Sequence, residues 1–152
     1  MTSDRDFLTI GKCSVAGSDK DQFVGFLKRL NLSDIISKNA DVVLFTEKCD
    51  YENYTARKAA MPFSEGLRSS KLPFQTILTY DPQNCKADFV GKNVRFGNGY
   101  TVFEMLTLGS IARVRIKDTG KKTVKYALLL ACGLTLSGVP FEEIAAAFSP
   151  EV

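Results

Sequence analysis

The sequence predicts an α+β fold, a mainly antiparallel sheet packed against helices and closed by a C-terminal αα-hairpin. Three observations predict it. Thr123 to Leu136 reads apolar on every side, with no charged residue from Ala127 to Leu134; such a helix belongs in a core or an interface and not on a wet surface. Ala112 to Lys117 alternates apolar and basic residues, the period of a strand with one covered face. Turn clusters at Asp81-Pro82-Gln83-Asn84, Gly97-Asn98-Gly99 and Asp118-Thr119-Gly120 separate short β-rich runs. At 152 residues, 45% hydrophobic and 24% charged, the chain is expected to form one ordinary domain over 1–152.

Phe7 to Val15 contains the first expected strand, within 7–15. Ser18 is expected to cap a helix over 19–30, because Phe23, Phe26, Leu27 and Leu30 fall on one face. Ser33 can cap a short turn through Lys38, with Asn39 as its stop. Val42 to Lys48 is β-branched and aromatic, hence a strand over 42–48. Asp50 is expected to start a helix that runs to Ala60. Pro62 to Pro73, rich in Ser, Gly and Pro, reads as a long loop. Strands are expected over 74–80, 87–96 and 111–117. Tyr100 to Leu108 reads as helix or strand, and Glu104, Met105 and Leu106 tilt it toward helix. Gly138 should stop the apolar helix. Pro140 should open a last one with Glu142 and Glu143 in its first turn and Ile144, Ala147 and Phe148 inward.

Several function classes are excluded by what the residues lack. There is no histidine, so Ser-His and Cys-His nucleophile pairs are absent. Cys13, Cys49, Cys85 and Cys132 have no CxxC spacing, and reduced, mostly buried thiols are expected in place of a zinc site. Gly91-Lys92 lacks the upstream glycine and following Ser or Thr of a phosphate-binding loop, and Gly97-x-Gly99 lacks the third glycine of a dinucleotide fingerprint. Acidic pairs such as Asp19/Asp21 and Glu142/Glu143 sit at helix starts, where dipole complementation explains them. No catalytic residue, cofactor or metal is therefore expected. The start of the chain is polar and acidic, without the apolar stretch of a signal peptide, and no run is long enough to span a bilayer; an intracellular protein is expected.

The uneven feature is charge. Residues 1–85 are balanced, whereas residues 86–125 hold nine basic and three acidic side chains. Phe89, Phe96, Tyr100 and Phe103 lie among those cations. Dispersed cations suit phosphates and aromatic faces suit bases, so the pattern predicts a non-enzymatic protein that binds nucleic acid (RNA favoured) or another polyanion. The expected contact residues are Lys92, Arg95, Arg113, Arg115, Lys117, Lys121 and Lys122. Named modules do not fit. Asp88–Asn93 and Gly99–Phe103 echo the two short motifs of an RNA-recognition module, but too few residues separate them for its intervening helix. The hairpin from Val124 to Phe148 carries Glu142 and Glu143 where a DNA-reading helix would be basic. A second expectation is a self-assembling structural protein of viral matrix or capsid kind, a homo-oligomer with the 123–136 helix at its interface and the basic strip on genome or an anionic membrane.

Overall fold

Among the described residues the β-rich runs assemble, in the computed structural model, into a seven-stranded mixed sheet flanked by helices. The structure describes residues 13–32, 40–66 and 72–148. In chain order the elements are β1 (Cys13–Ala16), α1 (Lys20–Arg29), β2 (Val42–Phe45), a 3-10 turn (Tyr51–Asn53), β3 (Lys58–Pro62), α2 (Phe63–Gly66), β4 (Thr76–Asp81), β5 (Phe89–Gly97), β6 (Tyr100–Thr107), β7 (Ser110–Ile116), α3 (Thr123–Leu136) and α4 (Phe141–Phe148). The strands lie side by side in sequence order.

The fold is α+β, but the sheet is not mainly antiparallel. β1 through β5 pair in parallel, and only β5/β6 and β6/β7 are antiparallel. Burial explains the difference. All four residues of β2 are buried, because both faces of the parallel part are covered. A cluster including Val43, Phe45, Tyr51, Ala59, Met61 and Phe74 covers one face, and the helices cover the other. Parallel strands need that double cover and so lose the alternation that marks a half-exposed strand. β5 starts level with the end of β4, with Tyr80 opposite Phe89 and Asp81 opposite Val90. A short loop therefore suffices to join this parallel pair. Asp88 fastens it by accepting from the Thr79 N–H at 2.8 Å.

α3 crosses β2 to β6 on the inner face. Twelve of its fourteen residues are buried, so the chain itself covers the helix and its apolarity no longer argues for an interface. Contact is closest at Gly133, where a Cβ would lie 2.7 Å from Leu44 Cδ2 and 3.2 Å from Cys13 Sγ. The helix ends where expected: the Val139 N–H returns to Leu134 O at 2.9 Å around Gly138, whose φ is 94°. Lys58 Nζ donates to Leu136 O at 3.1 Å, a cation on the negative end of the helix. α4 follows Pro140 and buries Ile144 and Phe148, completing the expected hairpin.

Three local expectations are corrected. Residues 50–60 are not a helix; after the 3-10 turn the chain extends into β3. Ala59 and Ala60 face opposite clusters, and this small-residue strand packs where helix propensity alone would mislead. Residues 100–107 are strand. Thr101, Phe103 and Met105 point inward and are buried, while Val102, Glu104 and Leu106 are half-exposed. Ser18 is not the cap of α1: Asp19 occupies that position without a side-chain capping bond. Residues 7–12 of the first expected strand, the 33–39 turn and part of the 62–73 loop lie outside the described residues. Among the described residues no helix is long and apolar enough to cross a membrane. All four cysteines are free thiols, Cys13 and Cys132 buried, Cys49 intermediate and Cys85 exposed.

Candidate functional site

β1 to β4 are parallel, so their carboxyl ends and the loops that follow gather along one edge of the sheet. In open α/β sheets ligands bind outside the carboxyl ends of the strands where the strand order reverses. The described strands run in sequence order without such a reversal, so this edge is a candidate through the polar side chains it gathers. Here the edge is built from Gly17-Ser18-Asp19 after β1, Thr46-Glu47 after β2, Ser64 and Glu65 after β3, and Asp81-Pro82 at the end of β4. Lys122, Lys125 and Tyr126 at the start of α3 complete it. Gly17 fits because it is glycine: its φ is 134°, and a Cβ would lie 1.9 Å from Thr46 Oγ1.

Asp19 is the hub. It is 7% exposed. Its Oδ2 accepts from Tyr126 Oη at 2.8 Å and from Lys122 Nζ at 3.1 Å, and Lys125 Nζ stands 3.6 Å away. Burial works against the charged form, but the hydroxyls of Thr46 and Tyr126, the Lys122 ammonium and the charge of Lys125 outweigh it. The carboxyl is held well below the usual carboxylate range. The Tyr126 phenol is pushed the other way, by burial first and then by Asp19.

Glu47 makes the second anchor. Its Oε2 accepts the Ser18 N–H at 2.6 Å in front of α1, and the hydroxyl and N–H of Ser18 lower its pKa. Next to these a cleft of about 250 Å³ is lined by Thr46, Glu47, Glu65, Tyr80, Asp81 and Lys125, among others. Tyr80 closes its floor by donating to Phe45 O at 2.8 Å, and Tyr51 donates to Glu65 Oε1 at 3.0 Å. The cleft therefore offers two ammonium groups, the exposed Lys48 and the Asp19-paired Lys125, beside carboxylates. It can hold an oxyanion on the lysines and amino groups on the acids. Among the described residues no three acidic or cysteine side chains converge closely enough to hold a metal ion.

The basic residues singled out from the sequence divide between two places. Lys92, Glu104 and Arg113 lie in one cross-strand line of the antiparallel part, and Arg95, Val102 and Arg115 in the next. Glu104 thus stands between two of the cations, and Arg115 lies over the Tyr100 ring at 3.9 Å. Lys117 follows β7 and is exposed. Lys121 and Lys122 lie instead at the start of α3, where Lys122 is paired with Asp19. Asp19, Glu47, Lys125 and Tyr126 were not among the expected site residues. The signal for them was Gly17-Ser18-Asp19 between a strand and a helix, which carries meaning only once β1 is known to be parallel to its neighbour.

No protein-family model matches the sequence, and no curated protein matches it. Solved structures do. One is the UDP-N-acetylmuramoylalanyl-D-glutamyl-2,6-diaminopimelate--D-alanyl-D-alanyl ligase from Acinetobacter baumannii, at TM-score 0.63 and 11% identity over 98% of this chain and 48% of that one. A crystal structure of MurF from Acinetobacter baumannii gives 0.64 and 11% over the same shares. A UDP-N-acetylmuramoyl-L-alanyl-D-glutamate--2,6-diaminopimelate ligase gives 0.60 and 12% over 82% of this chain and 31% of that one. The chain spans about half the length of the first two. At these identities the likeness establishes the fold. It also overturns the two functional expectations: the neighbours are ligases, not RNA-binding proteins or viral assembly proteins. Mixed charge within a strand face produced the false signal, because a solvated antiparallel hairpin and a polyanion surface look alike in sequence.

Proposed function

We propose that this chain is a domain of a ligase related to its structural neighbours, and that the crevice outside the carboxyl ends of β1–β4 holds an anionic small-molecule substrate. The observation that carries the reading is the placement of Lys125. It lines the carboxyl-edge cleft and stands 3.6 Å from Asp19 Oδ2. An incoming oxyanion would share that ammonium with Asp19, while Tyr126 and Lys122 keep Asp19 charged and in place. The role of these residues is to bind and orient. Forming an amide from a carboxylate and an amine requires the two reactants to be held in a fixed geometry, and holding an oxyanion in place is what Lys125 contributes to that.

The neighbours' names suggest the substrate class: a UDP-linked N-acetylmuramoyl peptide. The intracellular location expected from the sequence goes with this reading. Calorimetric titration of the protein with UDP-N-acetylmuramoyl tripeptide is the test. Saturable binding that weakens at least tenfold in Lys125→Ala supports it. Absence of binding, or affinity that Lys125→Ala leaves unchanged, overturns it.

A further inference from the structure

We propose that a second cleft, between α1 and the β7–α3 loop, is a binding site for a short peptide and recognises its free carboxylate. This inference does not depend on the ligase reading. The cleft has a volume of about 480 Å³ and is lined by α1 residues including Asp21, Gly25 and Arg29, and by loop residues including Asp118, Gly120 and Lys121. That volume falls within the range of small-molecule sites.

Part of its floor is bare backbone, beside the side chains of Gln22 and Thr123 and of Lys122 and Tyr126, which also reach Asp19. Gly25 sits in the middle of a ten-residue helix, where glycine costs stability relative to alanine. Packing does not require it, since a Cβ there would meet only Arg29 Nη1, at 3.7 Å. Gly120 is similar: a Cβ would meet Thr123 Oγ1 at 3.6 Å and Asp118 Oδ2 at 3.7 Å. Two glycines that their own chain does not need leave room for the main chain of a ligand.

The charges fit the ends of that ligand. Arg29 Nε donates to Asp118 Oδ1 at 2.8 Å, and Thr123 donates in turn to Asp118. The guanidinium is therefore fixed through one nitrogen, and its two terminal nitrogens have no hydrogen-bond partner among the described residues. A planar fork held this way is suited to a carboxylate. Asp21 lies eight residues earlier on α1, about 12 Å along the axis at the helical rise. It is exposed and makes no ion pair among the described residues. About 12 Å is the span of three to four extended residues. A tripeptide with its carboxylate on Arg29 and its ammonium on Asp21 bridges the two, and Lys121 adds positive charge to the rim.

The test is a nuclear magnetic resonance titration of the whole chain with trialanine, its C-terminal amide and inorganic phosphate. Trialanine should shift the amides of Gly25 and Gly120. The amide form should bind at least tenfold more weakly, and Arg29→Gln should lose affinity for trialanine by a similar factor. Should that variant fail to fold, Gly25→Leu, which fills the floor, should abolish the shifts. Equal affinity for acid and amide, shifts confined to other residues, or no binding overturns the proposal. Phosphate binding as tightly as trialanine also overturns it, because the cleft would then be reading charge alone.

Discussion

The Tyr126 hydroxyl donates to Asp19 Oδ2 across 2.8 Å and thereby ties the start of α3 to the start of α1. The same carboxylate takes Lys122 and Lys125, so three groups from one helix turn converge on one acid at the carboxyl edge. Removing the phenol oxygen leaves a buried acceptor short of a partner. Tyr126→Phe should cost about 1–3 kcal/mol, the penalty of an unsatisfied buried group. Urea titration reads it as a lower midpoint at unchanged slope.

Asp19 also sets a pH dependence. Its folded pKa lies below the ordinary aspartate value of about 3.9. Stability from this carboxylate is therefore fully present above that value and is lost as pH falls through the folded pKa. Asp19→Asn should be less stable than the parent at neutral pH, and the gap between the two should close as pH is taken down below about 4. Thermal melts of both proteins from neutral to acid check this; a gap independent of pH would contradict it.

Much of the fold could be read from residues. α3 was legible because no face of it is polar, and the structure buries it. β7 was legible because Val114 and Ile116 alternate with exposed Arg113 and Arg115. What failed was pairing direction. β2 shows four consecutive apolar residues, which says only that both faces are covered. β6 was obscured because its outward residues, Val102 and Leu106, are apolar too, so its period of two vanished. The candidate site was illegible for the same reason. Asp19, Glu47 and Lys125 are far apart in sequence, and only parallel strands bring them to one edge.

The core helix gives a prediction of size. Leu129 is fully buried in α3 within the main hydrophobic cluster. Leu129→Ala removes apolar surface and leaves a cavity, at a cost of about 2–5 kcal/mol. Unfolding at this cost approaches the total stability of an ordinary domain. Circular dichroism melts should show a large drop in Tm.

The same substitution in two helices should have opposite signs. Glycine to alanine inside a helix gains about 1 kcal/mol from propensity alone. At Gly25 nothing opposes the gain, since the new methyl would meet only the flexible end of Arg29 at 3.7 Å. Gly25→Ala should therefore stabilise the protein by up to about 1 kcal/mol. At Gly133 the methyl would stand 2.7 Å from Leu44 Cδ2, on a strand packed directly beneath α3. Overpacking there costs about 1–3 kcal/mol and exceeds the propensity gain. Gly133→Ala should lower the midpoint of unfolding while Gly25→Ala raises it. Shifts of the same sign in urea titrations would mean that α3 does not lie as close to β2 as the geometry places it.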